Sequence, residues 1–504
     1  LAVGIQQIAN DFVGIFQKSI AESSLAKFVE KIEVKGAGFI NIHLSKEVYF
    51  QILYDILKQK EGYGQSGYGE QKKVQIEFVS ANPTGPLSVA HARQAAVGDA
   101  LANVLNFIGF KAFREYYVND EGNQINLLGD SVRIRAEEVL AGKEMAGERF
   151  SDDHYRGEYI KDVARDFINV HTIKTLEDLK MHGSKASQYA VDTIMAIIKK
   201  ELSDFGVKFD IWSYQSRIAT NQTIEEMLTF LKSKCLAYEK EGALWFETTK
   251  LGDDKDRVLK KSDGSYTYLT PDIVYHKDKF DRGFKFIMNI WGPDHHGYIP
   301  RIKASVQAIG QDPKAIEVLI VQLATIFRNG QAVSMSTRRG QYISLQEVMD
   351  EVGVDAARYF FLMRHISGHL EFDLDLAKKQ SAENPVFYIQ YGHARVHSVN
   401  KKAQEAGIKL KENGLGRLKE EEELDLIKKL GSFEEALRQC HHQLDPYPLV
   451  SYLHELAIAF HRFYDKCRII DESEKELSAE RLTLVNASGV VLANGLKLLG
   501  MSAP

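Results

Sequence analysis

The sequence is short of several things, and each shortage closes off a class of protein. Only three cysteines, Cys235, Cys440 and Cys467, occur in 504 residues. They are too few and too scattered for a disulfide framework, and no pair has zinc-ligand spacing, so the expectation is three buried, reduced thiols and no structural metal. Prolines number 10 against 37 glycines, with 44 % hydrophobic residues, which excludes collagenous, mucin-like or disordered material. No apolar run approaches the ~20 residues of a membrane span, because charges interrupt every candidate. Charge of one sign is also missing: 64 Lys and Arg face 69 Asp and Glu, a net of −5. That argues against a simple basic nucleic-acid-binding domain, although it says nothing about local basic patches. The chain opens at Leu1, inside a segment that reads as structured, so its natural N-terminus is expected to lie upstream and no targeting signal is judged.

What is present has three textures, and 504 residues exceed what one core organises. Residues 1–66 mix an amphipathic helix, with Ile5, Ile8, Phe12 and Phe16 at helical spacing, and the strand pair KIEVKGAGFINIHLS around a glycine turn. A glycine-rich stretch, GYGQSGYGEQKK, then reads as a linker. Residues 67–380 alternate helical patterns with the short apolar runs VQIEFVS, FKFIMNIWG and IEVLIVQ, the pattern of buried parallel strands, and ligands are expected at the carboxyl ends of such a sheet. From 381 to 504 the strands stop. Leu449, Tyr452, Leu453, Leu456 and Phe460 share one helical face, as do Leu492, Leu496 and Leu499, which predicts a helical bundle. The acidic run Glu420 to Glu423 reads as a solvated helix face or loop.

The densest chemical signal is VQIEFVSANPTGPLSVAHARQAAVGDALANVLNFIGF, residues 74–110. A strand ends in a turn bearing Asn82, Pro83, Gly85 and Pro86, and a helix begins near Ser88. Such a strand–turn–helix sets free backbone N–H groups and the positive helix end beside the strand terminus, where a phosphate binds. His91 falls in the first turn, on the same face as Ser88. Taken alone, a proline–glycine turn before a helix is more often only a turn. Likewise Asp294, His295 and His296 suggest a metal cluster, but adjacent histidines do not easily face one ion.

Taken together, these residues resemble the class I aminoacyl-tRNA synthetases. Ser88-Val89-Ala90-His91 stands at the family's His-Ile-Gly-His motif, with serine for the first histidine and alanine for the glycine. The second motif, Lys-Met-Ser-Lys-Ser, is matched in QAVSMSTRRGQYISLQEVMDEVG, where Ser334 and Thr337 replace both lysines and Arg338 and Arg339 follow at once. A guanidinium is always charged and clamps phosphate bidentately, so a basic loop of this kind still serves the leaving pyrophosphate. GDDKDRVLKKSDGSYTYLTPDIVYHKDKF, IWGPDHHGYIPRIKA, ENPVFYIQYGHARVHS and the terminal VLANGLKLLGMSAP are similar to the bacterial arginyl-tRNA synthetases, in order and with natural spacing.

The resemblance implies a multidomain α/β protein. Its centre is a Rossmann-like parallel-sheet domain with a helical insertion near 130–200, flanked by a small α+β domain touching the tRNA's outer corner and an all-α anticodon-binding bundle. It implies that ATP, taken with Mg2+ as a substrate complex, activates L-arginine, and that the arginyl group passes to the 3′ end of tRNA(Arg) by a two-step acyl transfer without a covalent enzyme intermediate. Bound tRNA is expected to be needed for the activation step. Ser88, His91, Met335, Ser336, Arg338 and Arg339 are the expected catalytic residues. ATP is expected on the first motif and its turn, through Pro83, Thr84, Gly85, Pro86, Ser88, Ala90 and His91. Gly292, Asp294 and His295 of WGPDHH, with Met335, complete that site. For the amino acid, the matched positions are Glu77, Ser80, Asn82, His91, Tyr268, Asp272 and His296. Two carboxylates and a phenol facing one planar cation make chemical sense, because a guanidinium's fixed donors need acceptors placed for forked hydrogen bonds. Asn119, Asp120 and Gln124 are expected to position groups near the reaction, and Tyr388, Gln390, His393 and Arg395 to meet tRNA. A cytoplasmic monomer is expected. The alternatives are less well matched. A cysteine enzyme needs zinc-binding cysteines, a large aliphatic enzyme a long editing insertion, and a small-molecule ligase no long helical unit. A tRNA-binding relative without catalysis rests only on the altered motif positions.

Overall fold

The computed structural model describes residues 2–142, 150–333 and 343–504, with the backbone alone at residues 2 and 3. Its centre is a parallel sheet of β1 (Lys73–Glu77), β2 (Lys111–Val118), β3 (Ile211–Tyr214), β4 (Phe286–Trp291) and β5 (Ile316–Ile320). The order is β5-β4-β1-β2-β3 and every neighbouring pair is parallel. The three apolar runs predicted as buried strands are β1, β4 and β5, and β1 and β4 each bury four consecutive residues, as strands covered on both faces do. The chain runs outward from β1 to β3, then returns to the other side of β1. Its direction therefore reverses between β1 and β4, and an open α/β sheet has its binding crevice at such a reversal.

Helix α1 (Val89–Phe107) follows β1, and helix α2 (Leu269–Asp281) precedes β4. Close packing lets α1 approach the sheet: a Cβ on Gly98 would stand 2.3 Å from the Phe78 ring. Between β2 and β3 the helices Asn123–Ala141, Glu158–Val170, Leu176–His182 and Ala186–Asp204 form the expected insertion. Two small sheets were not anticipated, one of them formed by Ala324–Arg328 with Gln331–Ala332 and Leu370–Asp373. Ala237–Lys240, Ala243–Phe246 and Arg257–Lys260 make the other, a small antiparallel sheet built from runs of four residues too short to carry a period.

The C-terminal bundle contains the long helices Pro385–Glu405, Tyr447–Lys466 and Lys475–Leu498, with Glu421–Gly431 and Phe433–Gln443 between the first two. The faces read from sequence are buried as expected. Two readings need correction. Glu423 of the acidic run is fully buried, because it caps its own helix through the Glu420 and Lys419 N–H groups and pairs with Arg481 at 2.7 Å. Cys235 is exposed, at a left-handed position (φ 53°) after a helix end, whereas Cys440 and Cys467 are buried free thiols.

The segment 1–66 divides in two. Lys46–Gln59 packs its buried Phe50, Leu53 and Ile56 against the C-terminal bundle, where Asn494 Nδ2 donates to Lys60 O (3.0 Å) and the Leu415 N–H to Tyr54 Oη (2.9 Å). The helix Ala2–Ala21 and the hairpin of Val29–Lys35 and Phe39–Leu44 lie beyond it. Ile5, Ile8 and Phe12 have the helical spacing but stay exposed, while Ala9 and Val13 are buried.

Candidate active site

The site is laid down by a register. Glu77 ends β1 and pairs in register with Asn289 of β4 on one side and Glu115 of β2 on the other. All three side chains are buried. Two carboxylates side by side in a sheet interior demand cations, and α2 brings both. Lys279, fully buried, pairs with Glu77 Oε2 and donates to Asn289 Oδ1 at 3.0 Å. Arg282, just past the helix, clamps Glu115 with two bonds of 2.8 and 2.9 Å. Ser213 (2.6 Å) and the Tyr275 hydroxyl (2.9 Å) also donate to Glu115. Burial would lift the Glu115 carboxyl, but the Arg282 fork and the Lys279 charge hold it below the usual carboxylate range.

Helix α2 also presents the second acid. Asp272 lies in its first turn and accepts from the Tyr298 hydroxyl at 2.7 Å. Burial, joined by the nearby Glu77 charge, pushes its carboxyl up to about 7, against the pull of Tyr298 and Lys279. Behind it, His276 Nδ1 donates to the Asp272 carbonyl (2.8 Å), and its Nε2 accepts from Asn289 Nδ2 (3.0 Å). Burial and the Lys279 charge take this imidazole down to about 3, so it is neutral at working pH. The ring of Tyr117 stacks on Tyr275, 4.3 Å between centres.

The turn after β1 is strained. Val79 (φ 66°) and Ser80 (φ 39°) both sit in left-handed conformations that cost side-chain-bearing residues energy and persist where surroundings enforce them. Here Ser80 Oγ donates to Glu77 Oε1 (3.1 Å) and accepts from the Tyr117 N–H (3.1 Å). Asn82 Nδ2 donates to Gln124 Oε1 at 2.7 Å, which joins two of the predicted blocks. Asp120 instead accepts from the N–H and hydroxyl of Ser216, at 3.0 and 2.6 Å, and so anchors the short helix Gln215–Ile218 that follows β3.

Ser88 is the N-cap of α1 and His91 its third helical residue. The Ser88 N–H donates to His91 Nδ1 (3.2 Å), which leaves Nε2 carrying the ring proton. Burial holds this imidazole down to about 4, against the pull of Asp294. Ser88 thus orients the His91 ring. The loop of Pro83, Thr84, Gly85 and Pro86 is tied to the insertion by Tyr159, whose hydroxyl donates to Thr84 O at 2.6 Å.

Met335, Ser336, Arg338 and Arg339 lie outside the described residues. From Ile343 the chain is held against α1. The Val89 N–H donates to Ile343 O and the Leu345 N–H to Leu87 O, making an antiparallel bridge of Ser88 with Ser344. The flanks of both motifs therefore meet at the start of α1. Arg93, one turn on and almost wholly buried, holds the neighbouring crossing by donating to the carbonyls of Gln322 (2.7 Å), His365 (3.0 Å) and Gly368 (3.0 Å).

Gly292 caps the short turn Pro293–Tyr298 at the end of β4, which carries Asp294, His295 and His296, all exposed. Among the described residues no group of His, Cys, Asp and Glu is arranged to hold a metal ion. Tyr268 precedes α2 and is 67 % exposed. In the bundle, Gln390 Nε2 donates to Asp355 and to Ser502 O, His393 meets Pro504 O, and Tyr388 packs on His461. Arg395 stands between the Tyr391 and Tyr464 rings, 4.6 and 4.2 Å from their centres, and Tyr391 is exposed beside it.

Sequence reading missed Lys279, Asn289, His276, Tyr298 and the Glu115–Arg282 pair. A signal for part of this exists: Tyr268, Asp272, Tyr275, Lys279 and Arg282 recur at intervals of three and four, a polar stripe at helical spacing.

Known proteins share both the sequence and the fold. The family described as tRNA synthetases class I (R), catalytic domain, matches residues 52–362, and the DALR anticodon binding domain matches residues 389–504. Arginine–tRNA ligase 1 of Halalkalibacterium halodurans is 45 % identical over 494 residues, covering 96 % of this chain and 88 % of its own. The arginine–tRNA ligase of Citrifermentans bemidjiense is 44 % identical, covering 97 % and 89 %. A Campylobacter jejuni structure solved as an arginyl-tRNA synthetase superposes with a TM-score of 0.83 at 32 % identity, over 92 % of this chain and 99 % of that one. The Mycobacterium tuberculosis methionyl-tRNA synthetase, at 11 % identity and a TM-score of 0.60 over 86 % and 92 %, shares the fold.

Proposed function

The chain belongs to the class I arginyl-tRNA synthetases, and from that premise we propose which of its residues carry each part of the reaction. The protein is an arginine–tRNA ligase: it activates L-arginine with ATP and transfers the arginyl group to tRNA. Arginine lies with its guanidinium between Glu77 and Asp272, lined by Asn82, Ser80 and Tyr268, and with its carboxylate toward the start of α1. The single observation that carries this placement is the convergence of two acids at the β1/β4 reversal, where burial and the Glu77 charge push the Asp272 carboxyl up to about 7.

The arginine carboxylate attacks the ATP α-phosphorus, and pyrophosphate leaves. No covalent nucleophile is needed, since positioning and charge stabilisation suffice. Neutral His91 offers its Nε2–H to the phosphate oxygens, and the N-terminus of α1 adds its free N–H groups and dipole. Mg2+ enters with the ATP phosphates as part of the substrate. Asp294 and His295 face the nucleotide, and the basic residues Arg338 and Arg339 attend the leaving group. In the second step the ribose hydroxyl at the tRNA 3′ end attacks the arginyl carbonyl, and AMP departs. The helical C-terminal unit meets the tRNA, with the exposed Tyr391 ring and the half-buried Arg395 guanidinium beside it. Tyr388, Gln390 and His393 act within the bundle and at the chain's last residues, supporting that surface. The enzyme works in the cytoplasm, consistent with its free thiols, and is read as a monomer.

Asp272→Asn tests the pocket. Loss of one charge-assisted hydrogen bond, about 1.5–3 kcal/mol, raises the KM for arginine roughly ten- to hundredfold and leaves that for ATP unchanged. Equal losses for both substrates would refute the placement.

A further inference from the structure

A pocket for a cation already holds one. Lys279 lies fully buried inside it, fixed from three elements: it grows from α2, pairs with Glu77 on β1, and donates to Asn289 on β4, with its ammonium 4.4 Å from the Tyr275 ring centre. Its partner on β4 has no freedom to turn. Asn289 spends its amide N–H on His276 Nε2, and His276 spends its own N–H on the Asp272 carbonyl. The Asn289 oxygen must therefore face the ammonium. Lys279 leaves Glu77 only by abandoning buried hydrogen bonds.

The charge count gives this arrangement a purpose. Two acids, Glu77 and Asp272, face one incoming guanidinium. Without Lys279 the filled pocket would bury a surplus negative charge, which a desolvated site does not tolerate. With Lys279 the filled pocket holds two anions and two cations. We propose that Lys279 is a positioning residue for the amino-acid substrate: it neutralises Glu77, so that Asp272 is the one acid arginine must ionise, and arginine binding releases the Asp272 proton to solvent. This rests on the reading of Glu77 and Asp272 as the arginine-binding acids.

The groups facing Asp272 agree with that sequence of events. Tyr298 donates to it, with the Arg301 guanidinium 5.2 Å from the Tyr298 ring centre. Glu77 faces it from β1 and Tyr117 from β2, while Lys279 and neutral His276 stand on its own helix. Burial and Glu77 raise its carboxyl to about 7, and Lys279 opposes the rise. A protonated carboxyl does not pair with a guanidinium, so arginine affinity climbs with pH until the free carboxyl is ionised. Removing the Lys279 charge removes a lowering influence, and the climb moves to higher pH.

The experiment compares the full-length protein with Lys279→Met and Lys279→Gln. The KM for arginine in tRNA aminoacylation is followed from about pH 6 to about pH 9, and arginine binding is measured by calorimetry in buffers of different ionisation heat. The unaltered enzyme is expected to release a proton on binding arginine near neutral pH. Both variants are expected to raise the arginine KM about fivefold at pH 7, the effect of roughly one pKa unit on a carboxyl that starts at about 7, and to recover at alkaline pH with the ATP KM unmoved. A rise by one factor at every pH, an equal rise for ATP, or no rise overturns the proposal. If neither variant folds, the calorimetry of the unaltered enzyme decides, and absence of proton release overturns it. Asp272→Asn separates the two ideas: if that change leaves arginine binding intact, the pocket itself is misplaced. If it weakens binding while the Lys279 variants show no pH shift, only the role of Lys279 fails.

Discussion

The two sides of the cleft are built on opposite plans. On the side proposed for the amino acid, Glu77, Lys279, Asn289 and His276 are buried, and their polar groups are committed to one another across three elements. On the side proposed for the nucleotide, Asp294 and His295 stand exposed on a six-residue turn, and the described flank that follows the second motif is pinned to α1. The difference follows from what each side must recognise. Choosing one cationic side chain among twenty requires desolvated acceptors set in place beforehand, since an unfilled buried acceptor is what rejects the wrong ligand. ATP carries its own charge and offers backbone-readable phosphates, so a helix end and a solvated rim serve it.

The comparison breaks first at Glu77. Glu77→Gln leaves Lys279 buried without its anion, and about 3–5 kcal/mol of folding stability should be lost together with arginine use. Chemical denaturation alongside aminoacylation measures both, and a variant as stable as the parent would mean that the buried side is not preset. His91→Gln probes the boundary between the two sides. Removing one donor that acts on developing phosphate charge should lower kcat on the order of 10²–10³-fold with little change in either KM. Because burial holds His91 at about 4, no titration of this ring should appear in the pH profile of kcat between about pH 6 and about pH 8. The smallest effect belongs to the rim. His295→Ala should change stability by less than about 0.5 kcal/mol and the ATP KM by a few-fold at most. A loss there as large as at Glu77 would erase the contrast.

Much of this was readable from the chain. The β1 run, its proline–glycine turn and the serine before α1 announce a strand–turn–helix by local rules alone, and the structure has each of them. The bundle faces around Leu453 and Leu492 are likewise periodic and buried. Less legible was the N-terminal boundary. The helix bearing Leu53 and Ile56 has an ordinary amphipathic pattern, which says that one face is covered but not that the cover comes from helices near residue 490. Glu423 misled for a similar reason: an acid in an acidic run looks solvated until Arg481 arrives from another helix. At the site, Glu77 and Asp272 were found by resemblance, whereas Lys279 reads in sequence as one more charge in HKDKFDR.

The sequence by itself therefore determined the order of elements and the three textures of the chain, because periodicity, caps and turn residues act within a few positions. Only the tertiary structure decided that Glu77, Asn289 and Glu115 share one row of the sheet, that a single helix delivers Lys279, Arg282 and Asp272 to it, and that the flank of the second motif bridges to Ser88. Those facts depend on strand register and on the side of β1 to which the chain returns. Both are set by burying apolar surface between segments some two hundred residues apart, a long-range energy that no local pattern records.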